Sequence, residues 1–133
     1  MVLALKIYAA MLVVFFAVDM LWLGWVARGF YRKHLGHWLA AEPHWPAAVL
    51  FYLLFILGVL VFVVLPGLAS GSLGRTLALG ALFGLVTYAT YDLTNLATAR
   101  DWPLVVTLVD MAWGTVLSTL VAAAGFLAGR IFG

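Results

Sequence analysis

The chain has 133 residues, of which 67% are hydrophobic and 9% are charged, and its formal net charge is +2. Its mean hydropathy of +1.17 exceeds what the core of a soluble domain of this length can bury, so a soluble globular fold is excluded. There is no basic run or polar tail, and we expect no nucleic-acid partner. The chain has no cysteine, which excludes a disulfide framework and a thiol nucleophile.

Four apolar runs, taken in chain order, predict four transmembrane helices. They lie near residues 3–27, 47–65, 77–98 and 103–129, and each reaches the roughly 20 residues that cross about 30 Å of hydrocarbon. Strands are excluded because an open sheet edge would leave backbone groups unpaired in lipid. The predicted fold class is therefore all-α, a polytopic membrane protein built as a four-transmembrane-helix bundle, with a single membrane domain over residues 1–133.

Prolines and glycines mark the predicted helix ends. Pro66-Gly67 and the following Ser/Gly-rich segment predict the end of the second helix, and the segment 100–103, Arg-Asp-Trp-Pro, predicts a tight turn before the fourth. We call the membrane surface where helices 1 and 3 leave the bilayer, and helices 2 and 4 enter it, face A. The opposite surface is face B.

An aspartate interrupts three of the four runs. Asp19 lies nine residues before Arg28, Asp92 lies eight before Arg100, and Asp110 lies seven after Pro103, and these three reference residues mark face A. At about 1.5 Å per residue, all three aspartates fall roughly 10–14 Å below that surface, at nearly one depth. We therefore expect the three carboxylates to converge in one pocket that opens toward face A.

Buried carboxylates are costly in a membrane and by default mark function. Three of them at one depth cannot all be ionised in a low dielectric without a compensating cation. Either at least one is protonated, or a metal ion, a substrate cation or an arginine reaches the cluster. All-oxygen ligands would suit magnesium, manganese or calcium better than zinc, but the sequence assigns no metal ligands and no cofactor.

Two of the aspartates belong to a repeated Asp-Met-x-Trp motif, which places Trp22 three residues after Asp19 and Trp113 three residues after Asp110. This spacing puts each indole on the face of its aspartate, where its N–H can donate to a carboxylate or its ring can form a pocket wall. In an inverted-repeat transporter, the two aspartates would lie at equal depths measured from opposite membrane surfaces. Here both lie nearer face A. We interpret the repeat as two helices supplying similar groups to one site.

The third helix carries the largest polar cluster. Tyr88, Asp92 and Asn95 share one helical stripe, with Tyr91 and Thr94 beside it. The cluster is either an active site or a set of hydrogen bonds that holds the helices together. The candidate catalytic residues are Asp19, Asp92, Asp110, Asn95 and Tyr88. The candidate substrate-binding residues are Trp22, Trp113, Tyr91, Thr94, Arg28 and Arg32.

Two further features concern partners. In the predicted bundle, the half nearer face A contains all acidic residues, histidines and tryptophans. Arg28, Arg32 and Lys33 also lie there and would attract a lipid headgroup. The motifs Gly80-x-x-x-Gly84 and Gly125-x-x-x-Gly129 permit close helix contact, either within the bundle or between the two copies of a homodimer.

Four segments carry a resemblance to a known family. Residues 18–24, 30–36, 87–98 and 109–114, with Tyr91–Thr98 as the most specific part, resemble an uncharacterised bacterial family of predicted four-helix membrane proteins of unknown function. The resemblance covers essentially the whole chain. It implies the same architecture and a bacterial inner-membrane, multi-pass location, and it implies no established activity.

Three functional hypotheses remain from the sequence. The first is a membrane enzyme, or an enzyme's partner, that handles or modifies a membrane lipid or fatty-acyl group. The second is a small proton- or cation-coupled transporter that works as a dimer, and the third is a purely structural polar cluster. A lateral opening between helices would favour the lipid, whereas a water-lined route to face B would favour transport.

Overall fold

The protein is an all-helical bundle in the computed structural model, which describes residues Met1 to Gly133. Four of its helices are long and apolar enough to cross a membrane. This confirms the predicted fold class. A short helix lies between the first two. The helices are α1 (Val2–Val26), α2 (Phe30–Leu35), α3 (Trp45–Ser70), α4 (Leu73–Thr98) and α5 (Leu104–Phe132).

Helix α5 is the centre of the bundle, because it packs along α4 and α1 and also contacts α3. Glycines make its approach to α4 close. A Cβ added at Gly84 would overlap the carbonyl oxygen of Gly114, and one added at Gly80 would lie 2.8 Å from the Cβ of Ala122. Gly125 is similarly packed against side chains of α1 and α3. Both glycine motifs therefore serve contacts within the bundle.

Helix α3 passes through Pro66-Gly67 and ends at Ser70, within the Ser/Gly-rich part of the segment that predicted its end. The helix continues through Pro66 to Ser70, because the preceding turn, Leu60–Val64, widens into π-helical geometry. The N–H of Leu65 there bonds to the carbonyl of Leu60. A proline lacks an N–H and crowds the preceding turn of a regular helix, and a wider turn accommodates both defects.

A second π-helical turn, Trp22–Val26, ends α1 at face A. The N–H of Ala27 donates to the carbonyl of Trp22 at 2.7 Å. Gly29 then adopts a φ of 82°, a left-handed conformation that glycine reaches without strain, and α2 begins at the next residue. This reversal folds α2 back over the end of the bundle, with Leu35 buried beneath it.

The apolar core occupies the bundle interior between the aspartates and face B. It is a cluster of aliphatic and aromatic side chains from α1, α3 and α5. Its fully buried members include Ile7, Met11, Ile56, Val59, Val63, Leu117 and Val121. All three membrane aspartates lie on the face A side of this core.

Candidate functional site

A cavity of about 450 Å³ lies in the face A half of the bundle. Its wall is mostly aromatic and aliphatic, interrupted by three aspartates. Of the residues proposed from the sequence, the structure brings together here Asp19, Asp92, Asp110, Tyr88, Tyr91, Trp22 and Trp113. Helices α1, α4 and α5 thus each supply one carboxyl group, and Tyr88 and Asp92 of α4 share the cavity with the two copies of the repeated motif.

A chain of hydrogen bonds ties α2 to this cavity. The Trp22 Nε1–H donates to the Tyr31 hydroxyl at 3.0 Å, and that hydroxyl donates to Asp110 Oδ1 at 2.9 Å. The rings of Trp22 and Trp113 stack with centroids 4.3 Å apart and planes within 6°. The repeated tryptophans therefore form one wall together, and the Trp22 N–H serves a tyrosine that the sequence interpretation had not included.

The Tyr31 phenol stays protonated in this position. Burial raises the pKa of Tyr31 well above its ordinary value of 10.0, and the negative charge of Asp110 raises it further. Ionisation of the phenol would place a second anion beside the carboxylate in a poorly hydrated site. Tyr31 is accordingly a fixed hydrogen-bond donor that orients Asp110.

Asp92 differs from Asp110 in its hydrogen bonds. It is 0% exposed, and neither of its carboxylate oxygens has a hydrogen-bond partner. The neighbouring polar group is another carboxyl, that of Asp110, which offers no donor while it is ionised. Since buried polar groups in proteins are nearly always paired, these two oxygens are an exception that needs an explanation.

A second residue with an unpartnered polar atom lines the same cavity. The indole Nε1–H of Trp102 is buried and donates to no protein group. The Trp102 ring meets the ring of Tyr91 edge to face, with centroids 5.7 Å apart. The cavity therefore presents unused acceptors on Asp92 and an unused donor on Trp102, which is not the arrangement expected of hydrogen bonds that only join helices.

Four of the proposed residues do not line this cavity. Asn95 is half-buried outside it, and Thr94 is exposed and donates to the carbonyls of its own helix, including that of Tyr91 at 3.0 Å. Arg28 and Arg32 are exposed. Arg32 instead borders a separate cavity of about 310 Å³ beside the loop after α2. Neither arginine supplies a compensating charge to the aspartates.

The aspartates also do not form a ligand set for a metal. No group of three or more His, Asp or Glu side chains has the arrangement that holds a metal ion. Of the histidines, His44 has a structural role, since its Nδ1 accepts from the N–H of Ala47 at 3.2 Å and caps α3.

Sequence reasoning missed Tyr31, Tyr52 and Trp102, all of which line the cavity. Two signals were available. Tyr31 lies within the segment 30–36 that carries the family resemblance. Tyr52 lies six residues after Pro46, close to the seven residues that separate Asp110 from Pro103, so the same depth count would have included it.

A second cavity of about 370 Å³ adjoins the first. It is lined by Phe51, Thr87, Tyr88, Tyr91 and Asp110, of which the last three also line the first cavity. It lies between α3 and α4, whose backbones are closer together in the face B half than in the face A half, where the rings of Phe55 and Tyr88 meet edge to face with centroids 6.0 Å apart. Phe51 is 49% exposed and Tyr91 is 57% exposed. The site thus has a lateral opening at the lipid-facing surface.

Residues 4–127 match the model of a family described as "Predicted membrane protein (DUF2177)". The chain therefore belongs to the DUF2177 family of predicted membrane proteins, which confirms the resemblance found in the sequence. No curated protein matches the chain, and no solved structure matches it.

Proposed function

We propose that this member of the DUF2177 family, placed in the bacterial inner membrane, binds a membrane lipid and handles its polar end in the face A cavity. One observation carries the proposal. The fully buried Asp92 has two unpartnered carboxylate oxygens, and it lines a cavity that adjoins a lateral opening between α3 and α4. Such a group is stabilised when a ligand supplies the missing donor.

The shape of the site suits a lipid that stays partly in the bilayer. The opening is bordered by Phe51 and Tyr91, whose rings are exposed on the surface that faces the acyl chains. The main cavity, about 450 Å³, is within the range of small-molecule sites but holds a polar end and a few carbons, not a whole lipid. The acyl chain would extend through the gap into the membrane.

The two neighbouring carboxyl groups give the site its chemistry. Tyr31 donates to Asp110 and orients it. Asp92 accepts no hydrogen bond, so its carboxylate oxygens are available to a bound lipid. Two neighbouring carboxyl groups in a poorly hydrated site can donate or accept a proton during a reaction. We propose Asp92 as the group that contacts the lipid, with Asp110 as its proton partner and Asp19 and Tyr88 completing the polar wall.

The transporter hypothesis fits the same structure less well. A proton- or cation-coupled carrier needs polar groups along a route to the other surface. Between the site and face B lies the apolar core, where Ile7, Met11, Ile56 and Leu117 are all 0% exposed. A homodimer stays a prediction, and the glycine motifs that would permit contact between copies make contacts within the bundle.

Lipid mass spectrometry of cells that lack the gene tests the proposal. The deletion strain is complemented with the wild-type chain, with Asp92→Asn, or with Asp101→Asn as a matched control. Asp101 is an exposed aspartate with a φ of 58°, a conformation that asparagine also tolerates. We expect the wild type and Asp101→Asn to restore the lipid profile and Asp92→Asn to leave it unrestored.

Two outcomes would overturn the proposal. An unchanged lipid profile in the deletion strain would remove the lipid from the function, and a changed ion or pH gradient in its place would favour the carrier. Full restoration by Asp92→Asn, at a protein level equal to wild type, would leave the carboxyl group without a role in the activity.

A further inference from the structure

The unpartnered atoms of the cavity indicate the chemical class of the lipid's polar end. Resting on the function proposed above, we infer that this end is uncharged and carries a hydroxyl group, as in a long-chain alcohol or a diacylglycerol. The inference rests on the juxtaposition of the buried Asp92 carboxyl, the buried Trp102 N–H and the absence of any cationic side chain from the cavity wall.

Hydrogen bonding sets the first condition. Asp92 offers two free acceptor oxygens, and Trp102 offers one free donor. A hydroxyl group donates one hydrogen bond and accepts others, so a hydroxyl-bearing end can satisfy both residues. An ammonium group donates but has no lone pair to accept from Trp102, and a quaternary ammonium group does neither.

Charge sets the second condition. Asp19, Asp92 and Asp110 all line the cavity, while Arg28 and Arg32 lie outside it and are exposed. A phosphate or carboxylate would enter a poorly hydrated space beside the Asp92–Asp110 pair with no arginine or lysine to compensate its charge. Burial of such an unpaired anion is strongly unfavourable, so anionic lipids are excluded.

Competition for a photoreactive alcohol tests the inference. The full-length protein is placed in phosphatidylcholine nanodiscs with hexadecanol that carries a diazirine near its hydroxyl end, and labelled peptides are mapped by mass spectrometry. Unlabelled hexadecanol, palmitate, hexadecylamine and hexadecane compete at equal mole fractions. We expect hexadecanol to displace the label from cavity residues at a concentration at least tenfold lower than the other three.

A matched pair of tryptophan variants tests the donor. Trp102→Phe keeps a ring in the wall and removes the N–H, and Trp38→Phe changes an exposed tryptophan outside the cavity. Loss of one hydrogen bond should weaken hexadecanol competition by about tenfold in Trp102→Phe. Competition should be unchanged in Trp38→Phe. The competitor series uses the wild-type chain, so its result stands even if Trp102→Phe fails to fold.

The outcomes separate the two proposals. If the cavity is labelled but hexadecane competes as well as hexadecanol, lipid entry stands and hydroxyl recognition is refuted. Stronger competition by palmitate or hexadecylamine would also overturn the inference. If the probe labels no cavity residue at all, the inference of a hydroxyl-bearing lipid is refuted, while the proposed function is decided separately by the lipid profile of the deletion strain.

Discussion

Replacing Asp92 with asparagine should make the folded protein more stable while removing its activity. The wild-type carboxyl is 0% exposed, and neither oxygen accepts a hydrogen bond. A buried polar group left unsatisfied costs about 1–3 kcal/mol, and more when it is charged. The asparagine side chain has the same size as the aspartate side chain and removes the acid.

The magnitude follows from two contributions. Removing the acid relieves part of that cost. The new amide can also donate to the neighbouring carboxyl of Asp110, and a hydrogen bond between membrane helices contributes about 0.6 kcal/mol on average. We expect the free energy of unfolding to rise by about 1–2 kcal/mol, within the range of these contributions.

The assay is reversible unfolding by sodium dodecyl sulfate in mixed micelles, followed by helical circular dichroism. Asp110→Asn is the comparison. Asp110 accepts a hydrogen bond from the Tyr31 hydroxyl at 2.9 Å, and the asparagine variant loses the negative charge that strengthens this bond. That variant should be destabilised by about 0.5–1.5 kcal/mol. A destabilisation of Asp92→Asn by more than about 1 kcal/mol would show that its carboxyl makes a structural bond, and the reasoning from unpartnered atoms would be refuted.

Three further predictions concern the surrounding structure. Tyr31→Phe leaves the Trp22 N–H without its acceptor, so it should lower the free energy of unfolding in the same assay by about 1–3 kcal/mol, and an unchanged value would place α2 away from the bundle. The pKa of Tyr31 is raised in the folded state. The stability that protonated Tyr31 contributes is therefore fully present below the pKa of the unfolded chain, near 10, and is lost as the pH rises through the pKa of the folded protein. The alkaline loss of stability above about pH 10 should therefore differ in slope between Tyr31→Phe and the wild type, and identical slopes in unfolding titrations between about pH 8 and 11 would contradict this. Gly84→Ala would place a Cβ in overlap with the Gly114 carbonyl oxygen, whereas Gly24→Ala meets nothing within 4 Å, so only the first should reduce stability and the yield of folded protein in detergent.

The sequence predicted the architecture because membrane helices obey simple rules of length and composition. The same rules placed Asp19, Asp92 and Asp110 at one depth, since rise per residue converts position in a helix into position in the bilayer. The three side chains do line one cavity. Depth alone does not say which way a side chain points around its helix, and for that reason Asn95 was expected at the site and lies outside it.

The parts that could not be predicted depend on backbone irregularity and on contacts between distant segments. The widened turn at Leu60–Val64 carries α3 through Pro66, and no local rule on proline predicts such a turn. The bond from Tyr31 to Asp110 joins residues 79 positions apart. It requires the turn at Gly29 and the return of α2 over the bundle, which hydropathy does not describe.

The division of the bundle into an apolar half and a polar half explains how it tolerates an unsatisfied carboxyl. Close packing of α5 against α4 at Gly80 and Gly84 supplies contact along the helices, and the fully buried core stabilises the face B half. In the face A half, the backbones of α3 and α4 lie farther apart, and the second cavity opens between them beside Tyr88 and Asp110, which also line the main cavity with Asp92. A tighter contact between α3 and α4 there would bury more surface, but it would also close the opening through which we propose that a lipid enters. The low packing at this end is therefore the physical condition for the proposed function, in the way that binding sites commonly sacrifice stability for access.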